Sequence, residues 1–308
     1  MRLFDMHCDT LYRAYTEKST LFDDSFHISF NKTDGIDTYI QCLAVWIPDE
    51  YRGDAAWELF CGCVELLGSQ ISGTDIKWLK SADDIRALAR SGGRGIILTV
   101  EGGAVLGGRP ERLQQLYDMG VRMMTLTWNG TNELGDGIMS ETDGGLTPFG
   151  QDVVMEMQRL GMIVDVSHAG EKMFFDTAKL SEKPFAASHS NARALTDHPR
   201  NLTDSQIETL SCAGGITGLN FCEYFLNKNK TNASKYDIIK HAGYLMQKGG
   251  PQMVGMGADF DGADIPSDIV GIASMPGLYE LFEDEFGKAA ADAVFFDNAY
   301  RFFTENLK

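Results

Sequence analysis

Histidines and acids recur in this chain at the ends of short apolar runs: His7 and Asp9, Glu101, His168, His189 and Asp259. His7-Cys8-Asp9 has i, i+2 spacing, which on a strand points both side chains to one side. Three imidazoles and three carboxylates brought together without balancing Lys or Arg would repel or desolvate badly unless a cation sat among them. A lone histidine in a buried strand is most simply a hydrogen-bonded core residue. His168 and His189 at matching places on two successive runs turn the reading toward metal ligands. Imidazole and carboxylate donors suit Zn, Mn, Co or Fe(II), with zinc favoured.

Glu101, followed by Gly102-Gly103, is either a strand-terminal acid holding a loop amide or a carboxylate bridging two cations. Two metals roughly 3.5 to 4 Å apart polarise a carbonyl and share a hydroxide nucleophile. Asp259-Phe260-Asp261-Gly262 offers two acids at one strand end; Asp259 is the choice for general base and acid, with Asp261 second. Arg200, in Pro199-Arg200-Asn201, has a planar guanidinium able to take a substrate carboxylate with paired hydrogen bonds, or to form a surface ion pair. His27 reads as a partly buried loop residue, His198 as loop scaffold and His241 as structural or exposed on a helix. Cys61-Gly62-Cys63 lies in a helical pattern without a second pair, and Glu283-Asp284-Glu285 reads as a solvated helix face.

Positioning these groups requires strands that end together. Apolar runs of strand length occupy residues 1–7, 38–47, 94–101, 121–128, 162–168, 184–189, 214–221 and 252–259. Their nearly continuous apolar character fits parallel strands buried on both faces. Helical periodicity fills residues 111–119, 151–160, 172–180, 203–210 and 235–247, with caps expected at Ser81 and Thr203 and left-handed helix ends at Gly120 and Gly161. Eight strands alternating with helices, and no Gly-x-Gly-x-x-Gly after the first, favour a closed (β/α)8 TIM barrel of the metal-dependent hydrolase type over a doubly wound open sheet. In such a barrel the C-terminal strand ends converge on one face, the face that carries catalytic groups.

One catalytic domain over residues 1–308 suits this length, with helices from about Gly277 packing on the barrel. The chain is 44% hydrophobic and 23% charged, an ordinary globular composition. Against 44 Asp plus Glu stand 27 Lys plus Arg, a formal charge of −17, which disfavours nucleic acid and anionic membrane as partners. The opening residues lack a secretory signal, no run is long enough to span a bilayer, and six scattered cysteines suit a reducing compartment, so a cytoplasmic protein with free thiols is expected.

The strings Phe4-Asp5-Met6-His7-Cys8-Asp9, Val100-Glu101-Gly102-Gly103, Asp165-Val166-Ser167-His168, Ala187-Ser188-His189-Ser190-Asn191, Pro199-Arg200-Asn201 and Gly255-Met256-Gly257-Ala258-Asp259-Phe260-Asp261-Gly262, in that order, resemble the membrane dipeptidase (renal dipeptidase) family of zinc peptidases, soluble bacterial-type members included. The resemblance implies a binuclear zinc dipeptidase: His7 and Asp9 on one Zn2+, His168 and His189 on the other, Glu101 bridging, Arg200 on the free carboxylate of a dipeptide substrate and Asp259 moving protons. It also implies a homodimer, since family members are often dimers. Two departures stand out. Asp297 replaces a frequent glycine, and Leu126-Thr127-Trp128-Asn129 puts Trp128 where the family often has a histidine that steadies the oxyanion. Trp128 offers only an indole N–H, with Asn129 as a partial substitute, so both enter as substrate-binding residues. A barrel hydrolase of another small amide, lactam or lactone, or a weakened metal-binding homologue without peptidase activity, are the alternatives.

Overall fold

Apolar side chains on both faces of each strand leave no face for solvent, and the chain meets that requirement by closing its sheet. The computed structural model describes residues 1–228 and 232–308. Its strands are β1 (Arg2–Cys8), β2 (Thr38–Trp46), β3 (Lys77–Trp78), β4 (Gly93–Glu101), β5 (Val121–Thr125), β6 (Ile163–Asp165), β7 (Ala186–Ala187), β8 (Ile216–Leu219) and β9 (Val254–Met256). Its helices are α1 (Thr10–Thr16), α2 (Gly53–Ile71), α3 (Ala82–Ser91), α4 (Glu111–Asp118), α5 (Pro148–Leu160), α6 (Glu171–Leu180), α7 (Asp204–Cys212), α8 (Glu223–Leu226), α9 (Lys235–Gly249), α10 (Met275–Phe286), α11 (Lys288–Asp292) and α12 (Asn298–Asn306). Every ladder is parallel, in the order β2-β1-β9-β8-β7-β6-β5-β4, and β4 pairs back onto β2 from Thr38↔Gly93 to Trp46↔Glu101. The result is a closed eight-stranded barrel wrapped in helices, a (β/α)8 TIM barrel. The two-residue β3 lies outside it against the first half of β4, too short to leave a periodic signal.

Alternation along each strand sorts the interior by height. Ile97, Met123, Ile163, Ala186 and Ile216 belong to the apolar cluster that fills the lower barrel. Two residues further along β4, β5, β6 and just past β7, on the same face, come Thr99, Thr125, Asp165 and Ser188, and two beyond Thr99 comes Glu101. The floor is closed by the C-terminal segment. Residues expected to form helices from Gly277 begin at Met275 and break at Gly287, and Ala293–Asp297 forms a π-helical stretch leading into α12. Phe296, Phe302 and Phe303 join the interior cluster, with the Phe303 ring 4.8 Å from that of Phe4. Asn298 donates to the carbonyls of Pro251 (2.7 Å) and Val254 (2.8 Å), and Asp297 accepts from Arg2 at 2.7 Å, which gives the acid at this position a partner.

Local signals agree with the elements they mark. Ser81 caps α3 by accepting from the Asp84 amide, Thr203 and Gln206 form a capping box on α7, and Gly161 ends α5 in the left-handed region. Gly120 follows α4 with φ +104°. All six cysteines are free thiols. Among the described residues no helix is long and apolar enough to cross a membrane. Phe303→Ala should cost about 3 to 5 kcal/mol of stability by opening a void beneath β1; an unchanged midpoint in denaturant unfolding would show that α12 is not part of the floor.

Candidate active site

At the upper strand ends the acids and imidazoles named above meet. Glu101 is the last residue of β4 and divides its two oxygens: Oε1 lies 2.9 Å from His168 Nε2 and 3.4 Å from His189 Nε2, while Oε2 lies 3.7 Å from His7 Nε2. His7 Nε2 is also 3.7 Å from Asp9 Oδ2 and 3.7 Å from Asp259 Oδ1. Two groups of potential ligand atoms, His7-Glu101-His189 and His7-Asp9-Asp259, thus share His7, and the His7 and His189 rings stack at 3.8 Å.

The strands reach these positions by shorter routes than the apolar runs indicate. β1 ends at Cys8, after a register shift beyond Asp5, so Asp9 converges with His7 from the N-cap of α1 rather than from the strand. β5 ends at Thr125 rather than Trp128, and β6 and β7 end at Asp165 and Ala187. His168 and Asp259 lie beyond their strands in left-handed backbone, with φ +68° and +62°. The runs continue apolar past the last ladder bond because the turns that follow are themselves buried.

Burial sets the electrostatics. It pushes the Glu101 carboxyl well above the carboxylate range and raises that of Asp259, and it drives the imidazoles of His168 and His189 well below their ordinary value. On His7 burial also works downward, but Glu101, Asp9 and Asp259 outweigh it and hold the imidazole at about 10. The bare cluster therefore compensates its acids with protons. His7 Nε2 and Asp9 Oδ1 are buried without a hydrogen-bond partner. Orphaned donor atoms of metal-ligating type, in a set of imidazoles and carboxylates, fit divalent cations.

A second layer aims the first. Asp5 Oδ1 accepts from the amides of His7 (3.2 Å) and Ala258 (3.0 Å), and burial raises its carboxyl to about 7. Asp165 makes the equivalent bonds to the amides of Ser167 (3.1 Å) and Ser188 (2.8 Å). Asn129 Oδ1 pairs with His168 Nδ1 at 2.9 Å, and since a carbonyl oxygen only accepts, His168 carries its proton on Nδ1. Asn220 donates to Asp259 Oδ2 at 3.0 Å. Asp5, Asp165, Ser188 and Asn220 were not singled out from sequence; the available signal was an acid two or three residues before a ligand in an otherwise apolar run.

Beside this cluster opens a cavity of about 640 Å³. Arg200 lines it, 5% exposed, with long contacts to Ser190 Oγ (3.4 Å) and the His189 carbonyl (3.3 Å) and an Nε without a partner. Burial lowers its guanidinium, against the pull of Asp259 and Glu101. Trp128 stands edge-on to Trp46 at 4.8 Å, Trp46 to Tyr12 at 4.9 Å, and together they wall one side. Trp46 gave no chemical signal in sequence, yet it pairs in register with Glu101. Asp261 turns away from the ligands: it accepts from Thr10 Oγ1 (2.6 Å), Arg13 (3.1 Å) and the amides of His27 (2.8 Å) and Ile28 (3.2 Å). That leaves Asp259 as the acid of this pair facing the cluster. His27 accepts from the Asp261 amide, His241 is buried on α9 between Ala192 and Leu226, and His198 accepts from the Arg200 amide while packing on Phe225. Cys61 and Cys63 lie on α2 and belong to neither ligand group.

A parallel barrel whose upper strand ends gather buried histidines and carboxylates beside an open cavity defines the class of metal-dependent barrel hydrolases. Residues 1–307 match the model of the membrane dipeptidase family, peptidase family M19, and the chain belongs to that family. A Klebsiella pneumoniae protein of the pqqA 5′ region is 35% identical over 207 residues, 64% of this chain and 76% of that one. The dipeptidase tcpJ of Claviceps purpurea is 36% identical over 193 residues, 62% of this chain, and the match spans about half of its length, 45%. The fold is similar to that of a Rhodobacter sphaeroides metallo peptidase solved with a phosphinate mimic of the dipeptide L-Ala-D-Ala, with TM-score 0.92 and 25% identity over 100% of this chain and 99% of the other.

Metal uptake should displace the protons that compensate the bare cluster. Zinc added to metal-free protein at pH 7 is expected to release about one proton or more per chain, read by calorimetry in buffers of different ionisation enthalpy. Affinity should rise with pH up to and through about 10, as His7 loses the proton that metal must otherwise displace. Zinc binding without buffer-dependent heat would contradict the proton-compensated site.

Proposed function

We propose that the chain is a binuclear zinc dipeptidase that hydrolyses the amide bond of dipeptides. The observation that carries this reading is the division of Glu101, one oxygen toward His168 and His189 and the other toward His7, as a bridging carboxylate requires. His7 and Asp9 would hold one metal with Glu101, and His168 and His189 the other. When bound, the metal pair supplies Lewis acidity toward the amide carbonyl and lowers the pKa of the attacking water. A dipeptide mimic bound by the Rhodobacter sphaeroides relative supports a substrate of this size.

The chain's own residues do the rest. Arg200 keeps its guanidinium in a buried position with only long protein contacts, so a substrate carboxylate is the partner that completes its hydrogen bonds. Asp259 has Oδ2 anchored by Asn220 and Oδ1 turned to the ligand cluster, and its raised carboxyl suits taking a proton from water and passing it to the leaving amine. The wall of Tyr12, Trp46 and Trp128 excludes water and packs an apolar side chain of the substrate. In place of a histidine's cation, Trp128 contributes ring surface, and Asn129 secures His168 with its oxygen.

Zinc-loaded protein should release free amino acids from a panel of L-L, L-D and D-D dipeptides, and turnover of none of them would remove the peptidase reading. Arg200→Ala should raise KM about 10- to 100-fold through the lost charged hydrogen bonds, while Asp259→Asn should lower kcat about 10²- to 10⁴-fold. A substrate without a carboxylate that is cleaved faster, and is indifferent to Arg200→Ala, would instead select another amide, lactam or lactone. Glu101→Gln should diminish paired zinc occupancy by metal analysis; unchanged metal content would exclude bridging.

A further inference from the structure

Asp165 is wholly buried on β6, and four donors converge on its carboxylate. The amides of Ser167 and Ser188 occupy Oδ1, and the hydroxyls of Thr125 (2.6 Å) and Ser188 (2.6 Å) occupy Oδ2. With every neighbour a donor, the carboxylate has only acceptor work to do. A serine hydroxyl owns one proton. The one on Ser188 is directed at Asp165, and the contact to Ser167 Oγ, at 3.5 Å, is too long to compete for it. Yet the same Ser188 oxygen also lies 2.8 Å from His189 Nδ1. That bond therefore runs in one direction: Nδ1–H donates to a lone pair of Ser188 Oγ, and Nε2 is left bare.

We infer that Asp165 is a positioning residue, which acts through Ser188 to hold His189 in the Nδ1–H tautomer with the Nε2 lone pair turned to Glu101. The inference deepens the metal-site reading proposed above and depends on it. His168 reaches the same state through Asn129. His168 Nε2 and His189 Nε2 are 3.0 Å apart, and Glu101 Oε1 lies 2.9 and 3.4 Å from them. Neither imidazole then brings a proton to this meeting of three acceptor atoms, which a proton on Glu101 satisfies in the bare chain and a cation can satisfy in its place. The hydroxyl is held where it works. A Cβ on Gly218 or Gly257 would fall 1.9 or 1.8 Å from the Ser188 carbonyl oxygen, so β8 and the segment after β9 press on this residue with no side chain between. The next residue is tied as well, since the His189 amide donates to Ser167 Oγ at 3.1 Å.

The test compares Zn2+ affinity and stoichiometry, by metal analysis in zinc buffers, with the 15N signature of His189 in labelled metal-free protein. Ser188→Ala should weaken one of two zinc sites about 10- to 100-fold, and Ser188→Thr, which restores the hydroxyl, should recover most of it. Asp165→Asn should go further: its amide donates to Ser188 Oγ, the hydroxyl turns to His189 Nδ1, and the 15N pattern moves to the Nε2–H tautomer. A merely structural role predicts no such tautomer change and no rescue by threonine. Wild-type zinc affinity in Ser188→Ala, or a His189 that stays Nδ1–H in Asp165→Asn, overturns the relay while leaving the metal site standing. Wild-type protein that takes up no zinc overturns the metal-site reading and the relay with it.

Discussion

Acceptor atoms packed against acceptor atoms, out of reach of water, are the constraint to which the barrel mouth answers. His7, Glu101 and His189 are all at most 3% exposed. Carboxylate oxygens and imidazole nitrogens so placed repel unless positive charge lies between them. In the bare chain protons provide it, which is why His7 is held at about 10 while the Glu101 carboxyl moves up. The surrounding bonds prepare for a different source of charge: Asn129 commits the His168 tautomer, Asn220 anchors one oxygen of Asp259, and Asp5 and Asp165 tie the exits of β1 and β6 to neighbouring segments.

The barrel makes such crowding tolerable by separating it from the hydrocarbon that stabilises the fold. Below the cluster of imidazoles and carboxylates, inward positions are Ile97, Met123, Ile163 and Ile216, sealed by Phe296, Phe302 and Phe303. Above them the same faces of β4, β5 and β6 turn polar within one alternation step, at Thr99, Thr125 and Asp165. Burying the lower residues contributes on the order of 1.5 to 3 kcal/mol each for a full-sized side chain. Set against it is a mouth in which several polar atoms lack partners.

Much of this was legible in the residues themselves. Eight apolar runs, five of them ending in His, Asp or Glu, indicated a closed parallel barrel with those residues gathered at one end, because a strand buried on both sides carries its own burial pattern in its composition. What lay outside a single run was not legible. The pairing of Asp165 with Ser188 joins two strands 23 residues apart, and no local pattern marks a hydroxyl that must point down rather than up. Asp259 and Asp261 share one motif and differ only in what reaches them from elsewhere, Asn220 for one and the α1 end with His27 for the other. The strand ends were overrun at Trp128 and His168 because buried turns are as apolar as the strands they leave. Trp46 lay unmarked inside the run 38–47; its register beside Glu101 brings it to the wall of the cavity.

His168 and Asp259 both occupy left-handed backbone, which costs a residue with a Cβ roughly 1 to 3 kcal/mol. The upper rim thus carries backbone strain at two residues that face the cluster. An ion seated among the rim residues adds to stability with the logarithm of its concentration above the dissociation constant. Occupancy of the mouth and endurance of the fold are thereby linked, since an ion that binds there also offsets the strained conformations around it.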